Sequence, residues 1–147
     1  AATGTLTEEQ TRMIERVMNL SNVRLGSIMI PRNLVIALPP NPDRRTFEQI
    51  IRKHNFSRLP VLNPDRRSVA GIVNIYDVLA DQAGGPISGW IRPPVLIAAR
   101  ESATQALLRL RQSHEAMGVV VDPRRGFVGI VTLKDLVEEI FGELGEW

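Results

Sequence analysis

An internal repeat constrains this chain more than any other feature, because repeated units must bury their apolar faces against one another. When the sequence is slid so that Leu59 falls on Met117, Leu59–Leu79 lies over Met117–Val137 without a gap. Val61 then meets Val119, Arg66 and Arg67 meet Arg124 and Arg125, Gly71 meets Gly129, and Asp77 meets Asp135. Most apolar positions match as well. This density of identities with matched punctuation divides the 147 residues into a lead segment at 1–22, one repeat at 23–83 and a second at 84–147.

Each repeat reads as strand, helix, strand, turn, strand, helix. In the first, the apolar run Leu34–Leu38 predicts a buried strand. Thr46 is placed to cap a helix with Phe47, Ile50, Ile51 and His54 on one face. Leu59–Leu62 and Val69–Asn74 form strands around an Asn63-Pro64-Asp65 turn, and a helix follows over Ile75–Ala83. The second repeat predicts strands at Val95–Ala98, Gly118–Val121 and Phe127–Thr132, and helices at Ala103–Gln112 and Leu133–Gly142. Gly84-Gly85-Pro86 punctuates the junction. Strands alternating with helices give an α/β (α+β) fold with two small, mostly three-stranded sheets.

Ahead of the repeats, Thr7 with Gln10 three residues on spells a capping box. The helix it opens carries Met13, Ile14, Val17, Met18 and Leu20 as one apolar stripe. Packing on its own domain is the ordinary use of such a stripe; a second subunit or a neighbouring domain is the alternative.

Composition narrows the chemistry. The absence of cysteine excludes disulfides, thiol catalysis and cysteine-based metal sites. No apolar run reaches the ~18 residues of a membrane span, and no charged start precedes an apolar stretch as in a signal peptide. These features predict a soluble domain of intracellular type, excised from a larger protein. A net charge of +2 is too small to argue for nucleic acid. The pairs Arg44-Arg45, Arg66-Arg67 and Arg124-Arg125 lie in turns without interleaved aromatics and read as solvated loops. His54 and His114 are not equivalent under the repeat and lack metal-ligand spacing; Glu138, Glu139, Glu143 and Glu146 read as a solvated acidic face. With no nucleophile elbow, phosphate-binding glycine loop or His-Glu-x-x-His, no catalytic residue is assigned and the chain does not read as an enzyme.

The repeated element Gly71-Ile-Val-Asn-Ile-Tyr-Asp77 and its partner Gly129-Ile-Val-Thr-Leu-Lys-Asp135 are more informative. Each sets a small polar residue and an aspartate at a strand-to-helix junction, where α/β folds place ligands. The hydroxyl can face a phosphate while the aspartate reaches the two hydroxyls of a ribose. Plain helix capping by Asn74 or Thr132 explains the same residues, and both readings stand at this level.

These residues resemble a tandem pair of CBS domains, a Bateman module, and more narrowly the regulatory region of the CorC/HlyC/CNNM proteins linked to magnesium and cobalt efflux. The resemblance rests on Leu6-Thr-Glu-Glu with Met13-Ile-Glu-Arg-Val-Met18, Ile28-Met-Ile-Pro-Arg32, Ser57-Arg-Leu-Pro-Val61, and Val119-Val-Val-Asp122 with Gly129–Ile140. It implies two repeats packed sheet to sheet, two clefts for adenine nucleotides (ATP or AMP, with or without Mg²⁺), and a disc-like homodimer. It also implies a cytoplasmic module attached to a membrane-spanning domain in the cell membrane; the charge and spacing above assign no nucleic-acid partner and no metal ligands. Position by position, Thr132 and Asp135 become the phosphate- and ribose-facing residues of the second cleft, flanked by backbone at Ile97, Ala98 and Met117–Val119. Asn74 and Asp77 take those places in the first cleft, flanked by Ile36, Ala37 and Leu59-Pro60-Val61. Arg58 matches a position near the phosphates. Asn74 stands where the family uses Ser or Thr, so the second cleft is expected to be the stronger one. The alternative is a dimerisation module with vestigial clefts.

Overall fold

In the computed structural model, which describes residues 7–20 and 23–141, the two repeats each build a sheet and a pair of helices. The first contributes α2 (Arg44–Lys53), β2 (Arg58–Leu62), β3 (Val69–Asn74) and α3 (Ile75–Ala80). The second contributes β5 (Val95–Ala98), α4 (Ala103–Ser113), β6 (Met117–Asp122), β7 (Gly126–Thr132) and α5 (Leu133–Phe141). Ahead of them runs α1 (Glu8–Leu20); the two-residue strands β1 (Ile30–Pro31) and β4 (Ile91–Arg92) lie near the starts of the first and second repeats.

The two short strands change places. β1 opens the first repeat but pairs with β7 of the second, in a sheet ordered β1-β7-β6-β5. β4 opens the second repeat but pairs with β3 of the first, in the order β2-β3-β4. A side chain at Gly129 would collide with the Ile30 carbonyl, and one at Gly71 with the Arg92 carbonyl. The glycine shared by both repeats therefore marks the point where an exchanged strand crosses.

Strand register revises the gap-free repeat alignment. Val61 lies opposite Gly71, whereas Val120, not Val119, lies opposite Gly129. The first hairpin holds one extra residue, so Val61 corresponds to Val120, Pro60 to Val119 and Arg58 to Met117. Beyond the hairpins, Asn74 and Thr132 correspond as expected.

The expected strand at Leu34–Leu38 shrinks to one parallel bridge, Leu38 with Val61, behind a 3-10 turn at Arg32–Leu34. In the second repeat β5 runs parallel to β6, and the Ala99 amide extends the ladder by donating to the Val121 carbonyl at 2.8 Å. Pro40 holds the equivalent place in the first repeat and has no N–H to give. Asp43, not Thr46, caps α2, accepting the Thr46 amide at 2.8 Å. α3 stops at Ala80 rather than Ala83, because the Asp81 carboxylate takes the amides of Ala83 and Gly85.

Three apolar clusters hold the molecule. Leu38, Phe47, Leu59, Val73 and Val78 centre the first repeat. Ile97, Ala106, Leu110, Val131 and Leu136 centre the second, with Met13 from the lead segment and Leu25, Ile28 and Met29 from the start of the first repeat packed on them. The stripe on α1 thus serves its own chain at Met13, against α4 and α5, while Ile14 is exposed. The side chains of Val17, Met18 and Leu20, and Leu6 altogether, lie outside the described residues. The third cluster joins the two sheets through Val69, Ile72, Met117, Val119, Phe127 and Ile130. Hairpin contacts reinforce it: the Phe127 amide donates to the Arg67 carbonyl at 2.9 Å, and Arg32 lies over the Phe127 ring.

Candidate functional site

The layer between the sheets sets the geometry of the candidate clefts. Ile72 on β3 and Ile130 on β7 face that layer. Side chains alternate along a strand, so Asn74 and Thr132, two residues on, share the same face at its border. Met117 lies directly opposite Thr132, and Arg58 opposite Asn74.

At the second border the Thr132 hydroxyl accepts the Asp135 amide at 3.1 Å. Thr132 therefore caps the first turn of α5, which fixes its side chain beside Asp135. Asp135 is half-buried, and its carboxylate has no ionic partner among the described residues. At the first border the Asn74 side-chain oxygen accepts the Tyr76 amide at 2.9 Å. The Asp77 carboxylate faces the Arg92 guanidinium at 3.6 Å, the arginine coming from the exchanged strand β4. Capping is thus realised at both junctions, and in each it holds an aspartate in the first helical turn.

The flanking residues divide between faces. Met117 and Val119 pack into the inter-repeat layer, whereas Ile97 is fully buried on the opposite side of the sheet, against the core of its own repeat. Ala98 is half-buried, and its amide donates to Glu101 at 3.1 Å. Ile36 and Ala37 are half-buried; Pro60 is buried, and its carbonyl accepts the Leu38 amide at 2.8 Å. Arg58 is half-buried at the start of β2. Arg92 escaped the sequence reading because a two-residue strand ahead of Pro93-Pro94 carries no periodic signal.

The other candidates have structural uses. His54 ends α2 and stacks on Phe56 with ring centroids 5.8 Å apart; His114 ends α4 in the left-handed conformation. Glu138 faces Lys134 at 3.9 Å, and no group of potential metal ligands occurs among the described residues. Glu143 and Glu146 lie outside them. Arg44 is tied to Asp81 at 2.8 Å and to the Gly85 carbonyl at 2.7 Å, so it is not a solvated loop residue. A cavity of about 310 Å³, lined by Pro40, Pro42, Leu62, Pro64, Ala70 and Pro86 among others, opens at the hairpin end of the first sheet, away from Asn74 and Asp77.

Known proteins with this pattern agree on the family. The CBS domain model matches residues 25–84 and 91–142. The magnesium and cobalt efflux protein CorC of Vibrio cholerae is 31% identical over 95% of this chain and 50% of its own length. The UPF0053 protein YhdP of Bacillus subtilis is 24% identical over 96% of this chain and 33% of its own. The chain thus spans about half the length of CorC and a third of YhdP. A solved CBS domain of a bacterial CNNM/CorC family Mg²⁺ transporter, in complex with ATP, superposes with a TM-score of 0.81 at 28% identity, covering 91% of this chain and 98% of that one. The family model, CorC and the transporter CBS domain are matches to a module family, an efflux protein and a transporter domain rather than to an enzyme family. No helix among the described residues is long and apolar enough to cross a membrane. Two matched segments, each with its own sheet and helix pair, make this chain a tandem member of the CBS-domain family.

Proposed function

We propose that this chain is the regulatory, adenine-nucleotide-binding CBS pair of a membrane protein linked to magnesium or cobalt transport. The observation that carries the reading is the Thr132–Asp135 arrangement. A capped helical turn holds a half-buried carboxylate, without an ionic partner among the described residues, at the border of the inter-repeat layer, in a chain similar to a CBS domain solved with ATP. Asp135 would take the ribose hydroxyls, the Thr132 hydroxyl would face the phosphates, and backbone at Met117–Val119 and Ala98 would flank the base; Arg58, opposite Asn74, would face phosphates in the first cleft. Ligand between the sheets biases their arrangement only if it binds one arrangement more tightly. In a cytoplasmic module attached to a membrane domain, that bias is the signal passed on. The exposed apolar side chains of Tyr76 and Leu79 on α3 and Leu108 on α4 fit a homodimer surface.

The second reading, a dimerisation module with vestigial clefts, is favoured by Asn74 and by the engagement of Asp77 with Arg92. Calorimetric titration with ATP, AMP and S-adenosylmethionine, each with and without Mg²⁺, separates the two. Saturable binding that is weakened in Asp135→Ala supports the sensor; silence from all three ligands leaves the dimerisation module.

A further inference from the structure

Arg92 and Ile30 are structural counterparts. Arg92 lies opposite Ile72 on β3 as Ile30 lies opposite Ile130 on β7. Strand alternation turns both side chains toward the inter-repeat layer. Ile30 packs into that layer, whereas the Arg92 side chain is 64% exposed and reaches the Asp77 carboxylate at 3.6 Å. The two aspartates therefore occupy equivalent places with different surroundings: Asp77 faces a cation, and the second sheet carries a hydrocarbon where that cation would originate.

Resting on the nucleotide-binding reading above, we infer that Arg92 is the specificity-determining residue of the first cleft, where it favours phosphorylated nucleosides over neutral ones. A neutral nucleoside must displace the guanidinium from Asp77 to reach the carboxylate with its hydroxyls, and it leaves the cation without a partner. A phosphorylated ligand offers that cation a new anion, which the planar guanidinium fork fits well. The existing pair is long and largely solvated, so it opens at little cost. In the second cleft no cation among the described residues holds Asp135, so this preference for the phosphorylated ligand is not built there. The first cleft is thereby a phosphate-dependent site rather than a vestigial one.

The test uses the Asp135→Ala chain, in which the second cleft is weakened, titrated with AMP and with adenosine. The remaining site binds AMP at least about tenfold more tightly than adenosine. Adding Arg92→Ile, which installs the counterpart's side chain type, removes the preference by weakening AMP about tenfold and leaving adenosine unchanged. Arg92→Lys, which keeps charge without the fork, falls between, and thermal melts check that all variants fold. Equal affinity for AMP and adenosine in Asp135→Ala overturns the inference, as does AMP binding that ignores Arg92→Ile. Loss of all nucleotide binding in Asp135→Ala also overturns it while leaving the nucleotide reading intact; silence in the unmutated chain sinks both.

Discussion

The Asp81 carboxylate lies 2.8 Å from the Arg44 guanidinium and so joins the end of α3 to the start of α2. The same carboxylate accepts the Trp90 indole N–H at 3.3 Å and the amides of Ala83 and Gly85. One side chain thereby anchors the segment that leads from the first repeat into β4. Asp81→Ala is expected to lower Tm by several degrees, and Arg44→Ala by less, because the indole and amide bonds survive it. Thermal denaturation of both variants and the double mutant measures the coupling.

The acid limb of stability follows from the same group. Hydrogen bonding to Trp90 holds the Asp81 carboxyl below its ordinary value of 3.8, and backbone amides do the same for Asp43, Asp65 and Asp122. A carboxyl with a lowered folded-state pKa contributes stability that is full above the ordinary value and lost as pH falls through the folded one. Stability should therefore hold from neutral pH to about pH 4 and fall below it. Asp81→Asn should flatten that fall, and an unchanged acid profile counts against Asp81 as a source.

Ligand affinity should depend unequally on the two aspartates. On the proposed nucleotide reading, Asp135→Ala should remove charge-assisted hydrogen bonds worth ~1.5–3 kcal/mol, a loss on the order of 10- to 150-fold at the second cleft. Asp77→Ala should cost less, because that carboxylate gives up an ion pair before it meets a ligand. Equal affinity in the unmutated chain and Asp135→Ala, read by calorimetry, refutes the assignment.

Gly71→Ala and Gly129→Ala should each destabilise the chain by about 1–3 kcal/mol, as overpacking does. Each adds a methyl group against the backbone of an exchanged strand. Gly26→Ala, where the added methyl meets nothing, is the control. Denaturant unfolding of the three variants compares them, and equal midpoints would remove the steric role given to the two glycines.

The face of α1 offers a separate comparison. Met13→Ala should lower thermal stability, because Met13 packs on the core of the second repeat, whereas Ile14→Ala should leave it nearly unchanged. Sedimentation of both variants reports whether Ile14 contributes to self-association. A Met13 variant as stable as the unmutated chain would detach α1 from that core.

Much of the architecture is local and was legible as such. The Thr7–Gln10 capping box forms, with both reciprocal bonds at 3.0 Å, because its groups lie within one helical turn. β3 spans Val69–Asn74, the strand expected after the Asn63-Pro64-Asp65 turn. The junction residues Asn74, Asp77, Thr132 and Asp135 stand where the repeat motif puts them, since strand end and helix start are neighbours in the chain.

What lay beyond the sequence were the relations that depend on distant segments. β1 and β4 are two residues long, too short for any periodicity, and only the opposing strand makes them strands. The extra hairpin residue shifts the register by one, and side-chain identity alone hid it behind a run of valines. The first repeat's strand before α2 fails because Pro40 lacks the amide that Ala99 donates. Short-range hydrogen bonding and apolar spacing along the chain were enough to set the repeat, its helices and the pair of aspartates at the junctions. Tertiary structure alone decided that Asp77 meets a guanidinium and that Ile30, Arg92's counterpart, packs as hydrocarbon. The reason is that each exchanged strand draws its neighbours from the other repeat, and no spacing along the chain encodes that pairing.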